Sequence, residues 1–130
     1  MSRKTTAIVG VLVLVAAVVV FIVLQSGSDS SSGGTDRSLS FRVDKSGQAV
    51  GGVQKPEVTE GDHLTVTLQT DIPAELHIHG YELAKDLEAG QTGSINFTAD
   101  ATGEFEIEAH HLIHGDEGAG ISLATLQVNP

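Results

Sequence analysis

The 130-residue sequence has no cysteine and no tryptophan, one methionine at its first position, one tyrosine, four phenylalanines and three prolines. Without cysteine there is no disulfide to staple a small fold, no thiolate to hold a soft metal or attack a substrate, and no lipid-modified cysteine anchor. Basic residues are scarce: seven Lys and Arg stand against 17 Asp and Glu, a formal net charge of −10. Nucleic-acid phosphates and anionic lipid surfaces attract the opposite balance, so both are excluded as partners of the charged part of the chain. Neither a G-x-S-x-G elbow nor a G-x-x-x-x-G-K loop occurs, which removes serine-hydrolase and P-loop chemistry.

What is present falls into three stretches. Arg3 and Lys4 precede an unbroken apolar run of 18 residues, Ala7 to Leu24. As a helix it extends roughly 27 Å at about 1.5 Å per residue, close to the hydrocarbon thickness of a bilayer. The run is long for a cleaved signal peptide and no A-x-A follows it, so the sequence predicts a signal anchor over 7–24. Basic residues before it place residues 1–6 in the cytoplasm and everything after it outside. Residues 25–36, "QSGSDSSSGGTD", have no apolar side chain to bury and read as a flexible linker. Residues 37–130 carry 15 acidic and five basic side chains and form the exported domain.

That domain alternates with a period of two. "LSFRV", "HLTVTLQT", "AELHIH", "SINFTA", "EFEIEAH" and "ISLATLQV" each put aliphatic or aromatic residues on one face and polar ones on the other, with a short extended piece at Val58. "YELAKDLEAGQTG" reads as irregular and "HLIHGDEGAG" as a loop. Six or seven short strands separated by turn signals predict an all-β, antiparallel Greek-key β-sandwich.

Five of the six histidines fall in two short stretches, His77 and His79 in one, His110, His111 and His114 in the other. Side chains two apart on a strand share a face, with Cα atoms about 6.6 Å apart, so His77 and His79 can reach one ion. Sandwich topology commonly brings such strand ends together, and Glu75, Glu82, Asp116 and Glu117 lie near enough in sequence to complete or orient a site. The five imidazoles are therefore candidate metal ligands, for copper first and zinc second by the affinity order of imidazole sites. The competing reading is a metal-free structural or interaction domain with a polar rim. His63 opens a strand without a nearby partner and reads as surface.

From Val58 to Pro130 the order of pieces resembles the cupredoxin-like family. The features that carry it are "VTEGDHLTV", the His at the end of the middle strand, and "FTADATGEFEI" before a terminal His/Gly loop. The resemblance implies a Greek-key sandwich with one copper. Carried over, His77 or His79 takes the middle-strand ligand position, Ala109 stands where the family has its cysteine, one of His110, His111 and His114 is the second histidine, and no methionine is available. Without the thiolate the blue electron-transfer site cannot form. What remains is a histidine-only copper site or a copper carrier, for storage, delivery or tolerance, with a metal-delivery or redox protein as partner, or else a cupredoxin fold that has lost its metal; an enzyme is not expected. "LHIHGYE" also resembles the copper–zinc superoxide dismutase motif, a distant enzyme alternative that the length and lack of cysteine disfavour.

Overall fold

The computed structural model describes residues 33–113 and 116–130. The expected cytoplasmic segment, the signal anchor over 7–24 and most of the linker lie outside the described residues, among which no helix is long and apolar enough to cross a membrane.

Eight strands form two packed sheets: β1 (Asp36–Val43), β2 (Glu57–Thr59), β3 (His63–Thr70), β4 (Ala74–Ile78), β5 (Leu83–Leu87), β6 (Thr92–Thr98), β7 (Gly103–Ile113) and β8 (Asp116–Asn129). One sheet has the order β1-β3-β6, the other β2-β8-β7-β4-β5. The chain passes repeatedly from one sheet to the other, so the layers are joined by crossovers as in Greek-key sandwiches.

Alternation in the sequence does the packing. Leu39, Phe41 and Val43 of β1 and Leu64, Val66 and Leu68 of β3 face Leu76 and Ile78 of β4, Ile107 and Ala109 of β7, and Leu126 and Val128 of β8, all buried between the layers. Near the middle of β8, Leu123 and Ala124 are both buried. A register shift in the β7–β8 pairing, where Ile107 pairs with Ala124 and Glu108 with Ser122, lets two consecutive residues turn inward.

Three expectations need correction. The sheets are mixed rather than antiparallel throughout, because β1 pairs β3 and β2 pairs β8 in parallel. Parallel and antiparallel strands share the same two-residue period, so alternation is blind to direction. Leu83–Leu87, read as irregular, is the edge strand β5; only Leu87 is buried there, and a strand with one buried residue shows no alternation. Finally, the loop read at "HLIHGDEGAG" is largely strand. Leu112 pairs with Glu117 and Ile113 with Asp116, so β7 and β8 extend as a long antiparallel ladder.

Asp62 ties the opening strands together. It is 3% exposed. Its carboxylate accepts the backbone N–H of Thr59 in β2 and of Thr35 just before β1, each at 2.9 Å, and pairs with Nε of Arg37 at 3.3 Å. Burial pushes its pKa up, but the Thr59 and Thr35 N–H bonds and the Arg37 guanidinium outweigh it and hold the carboxyl below its ordinary value. A lowered folded pKa means that the stabilisation is complete above the unfolded carboxylate range and disappears as pH falls through the folded value. Asp62→Ala strands two N–H groups and is expected to cost about 3 kcal/mol at neutral pH, measured by urea unfolding. Asp62→Asn should flatten the acid limb of the stability profile, and an unchanged limb would refute this role.

Candidate metal centre

β4 and β7 lie side by side in antiparallel register, with Glu75 opposite His110, Leu76 opposite Ala109, His77 opposite Glu108 and Ile78 opposite Ile107. Opposite residues in such a pair share a face. Because Leu76, Ile78, Ile107 and Ala109 are buried in the core, Glu75, His77, Glu108 and His110 stand together on the outer face of the five-stranded sheet. His79 continues β4 by one alternation, its N–H bonded to the carbonyl of Glu106 at 2.9 Å, and joins them.

Gly80 follows with φ of 86°, in the region that favours glycine, and a Cβ there would meet the Phe105 ring at 2.5 Å. The backbone can therefore turn sharply after His79 only with glycine. Tyr81 anchors the turn, its ring 4.7 Å from those of both Phe97 and Phe105 and its hydroxyl donating to the Ala101 carbonyl at 3.0 Å.

Three imidazoles converge. His77, His79 and His110 each offer a ring nitrogen, and these atoms all lie within 4.8 Å of one another. The rings of His77 and His79 are 4.1 Å apart between centroids, and that of His110 is 5.6 Å from His77 and 5.9 Å from His79. Donors on one tetrahedral ion at about 2.0 Å per bond stand roughly 3.3 Å apart, so small side-chain rotations close the set around a cation. The side chains of His77 and His110 are only 20% and 15% exposed, against 40% for His79. Among the described residues Nδ1 of His77 is buried without a hydrogen-bond partner. A buried polar atom left in that state is costly, and a cation would satisfy it. The donor set and this orphaned nitrogen fit a borderline cation that prefers imidazole.

Glu108 completes the cluster. One carboxylate oxygen, Oε2, lies 3.0 Å from Nε2 of His79 and 3.0 Å from Nε2 of His110. Burial raises its pKa, but the hydrogen bonds from His79 and Glu106 and the charges of His79 and His110 prevail and hold it below the ordinary value. Glu82, exposed on the turn, has an oxygen 4.0 Å from Nε2 of His77.

Of the five candidate ligands, then, His77, His79 and His110 are brought together. His111 pairs with Ala74, a core-facing residue, and so belongs to the opposite face of β7 from His110. His114 lies outside the described residues, and of the expected supporting carboxylates only Glu75 and Glu82 have described side chains. His63 sits at the far sheet, where its Nδ1 is 3.0 Å from the Thr98 hydroxyl. The residue that sequence reasoning passed over is Glu108. Its signal was there: in "EFEIEAH" strict alternation puts Glu108 and His110 on one face.

Compared by sequence, no family model and no curated protein matches the chain. Compared by structure, it is similar to a copper nitrite reductase from Nitrosomonas europaea, with a TM-score of 0.52 and 22% identity over 73% of this chain and 42% of that one. It is also similar to the multicopper oxidase mgLAC, at 0.52 and 20% identity over 73% and 39%, and to a blue copper oxidase from Nitrosomonas europaea, at 0.52 and 19% over the same shares. The chain thus spans only about two fifths of the length of each of these proteins. At such identities the likeness is one of architecture: the chain has a cupredoxin-like β-sandwich fold.

Proposed function

We propose that this protein is a membrane-tethered, extracytoplasmic copper-binding domain whose site is the three-histidine cluster on the outer face of the five-stranded sheet. The observation that carries the reading is the convergence of His77, His79 and His110, together with the orphaned Nδ1 of His77. Copper ranks ahead of zinc because imidazole suits both and the affinity order favours Cu(II). The similar structures include a copper nitrite reductase and a multicopper oxidase, which supports copper as the ion. Tethering rests on the apolar run over 7–24 with Arg3 and Lys4 before it.

The chemistry of the ion here is that of storage or delivery. Ala109, where the resemblance would put a thiolate, is fully buried in the core and points away from the cluster, so no sulfur ligand supports fast blue-copper electron transfer. His77, His79 and His110 hold the cation, and the strand pairing between β4 and β7 keeps their backbones in fixed register. The acidic domain raises the local concentration of cations around this face.

Titrating the purified full chain in non-ionic detergent with Cu(II), and then with Zn(II) in competition, tests the reading. One saturable equivalent is expected, with copper displacing zinc. No saturable binding at micromolar metal would reject it in favour of a metal-free domain.

A further inference from the structure

Resting on the metal-centre reading above, we propose that Glu108 is the positioning residue of the site: its carboxylate takes the Nε2–H of His79 and so fixes the tautomer that leaves the Nδ1 lone pair of that ring for the cation, while its charge lies against His110.

The geometry is set by the sheet. His77 and Glu108 are opposite one another at the centre of the face, with His79 one step along β4 and His110 one step along β7 in opposite diagonal directions. From the centre a single glutamate reaches both outlying rings, and the same Oε2 is 3.0 Å from each Nε2; the contact with His79 is a hydrogen bond, and that with His110 is one of charge and proximity. An ionised carboxylate only accepts hydrogen bonds, so the ring nitrogen facing it carries the hydrogen. A neutral imidazole has one N–H, which leaves the other nitrogen, Nδ1, as the donor to a metal. A ring held to that oxygen also loses rotational freedom before any ion arrives, which lowers the cost of assembling the site. The Glu108 side chain is 21% exposed, so water competes weakly for these contacts.

Glu108 acts through the histidines rather than as a ligand. The donor atoms that lie mutually within 4.8 Å come from the three imidazoles alone. Carboxylates in this relation to metal-binding histidines raise ligand basicity and hold ring orientation, and their loss typically weakens metal affinity by about 10- to 100-fold.

The test uses the full chain in detergent, wild type, Glu108→Ala and Glu108→Gln, with two readouts. The first is the imidazole 15N chemical shifts of the metal-free protein at mildly alkaline pH, which report the tautomer of each ring. The second is Zn(II) affinity, with backbone amide spectra confirming that each variant is folded. In the wild type His79 should be the Nε2–H tautomer. Glu108→Ala should let both tautomers mix and weaken Zn(II) by about 10- to 100-fold. Glu108→Gln should restore the tautomer in part, because its amide oxygen still accepts.

An Nδ1–H tautomer of His79 in the wild type, or its tautomer and the affinity unchanged in Glu108→Ala, would overturn the proposal. Complete loss of the saturable site in Glu108→Ala would also overturn it, by making Glu108 a ligand. A wild-type chain that binds no metal defeats the metal-centre reading instead, and the tautomers, read without metal, still decide the role of Glu108.

Discussion

Replacing His110 with alanine is expected to weaken Cu(II) binding by more than about 100-fold, beyond the loss that follows from removing an outer-shell partner, while the fold survives. The reason lies in the direction of the side chain. His110 is on the outer face of β7, opposite Glu75, and the core beneath it is lined by Ala109 and Leu76. Removing its imidazole takes away one of three converging donors and leaves the packing between the sheets unaltered. His77→Ala should behave in the same way, since its ring is the nearest neighbour of His79. His111→Ala supplies the contrast. It is one residue from His110 in sequence, yet its register partner is the core-facing Ala74, so its loss should leave copper affinity unchanged. Isothermal titration of the three variants measures the difference. Equal losses in His110→Ala and His111→Ala would mean that the face assignment is wrong.

A second large effect concerns stability. An ion that binds the native state alone stabilises it by about 2.7 kcal/mol when free metal is 100 times the dissociation constant. For a domain of this size each kcal/mol moves the melting temperature by roughly 4–8 °C, so saturating Cu(II) should raise it by roughly 10–20 °C. Most of that gain comes from fastening β4 to β7, because the three histidines come from those strands and the residue that follows β4. Zn(II) should raise the midpoint in the same direction by less. The double variant His77→Ala, His110→Ala should melt at one temperature with or without metal. A wild-type midpoint indifferent to both ions would remove the basis for the site.

How much of this could be read from the chain depends on the range of the interaction. Alternation is local, and "ELHIH" and "EFEIEAH" declare which residues of β4 and β7 face outward without any knowledge of the partner strand. That is why the pairing of His77 with His79 was legible, and why Leu76, Ile78, Ile107 and Ala109 were recognisable as core. The register between the two strands was not legible. That His77 sits opposite Glu108, and Glu75 opposite His110, follows from a pairing some 30 residues apart in sequence, which local pattern does not encode. For the same reason His110 and His111 looked equivalent as adjacent imidazoles, and only strand pairing separated their faces. The exposed edge strand β5 and the parallel partners of β1 and β2 were hidden for different reasons: the first buries too little to alternate, and the second alternate just as antiparallel strands would.

The position of the cluster also separates this chain from the blue-copper pattern that its sequence resembles. That pattern needs a sulfur ligand at Ala109, and the structure buries Ala109 in the core on the face opposite to His77, His79 and His110. The fold is therefore shared with copper proteins, while the candidate site is built on a different surface of the sheet from the one that Ala109 faces.

Pulsed electron paramagnetic resonance on the Cu(II)-loaded full chain, with histidine labelled by 15N, counts the imidazoles bound to the ion. Three coupled imidazoles are expected, reduced by one in each of His77→Ala, His79→Ala and His110→Ala. A spectrum with a single imidazole, or one that none of these substitutions alters, would show that copper does not sit among His77, His79 and His110.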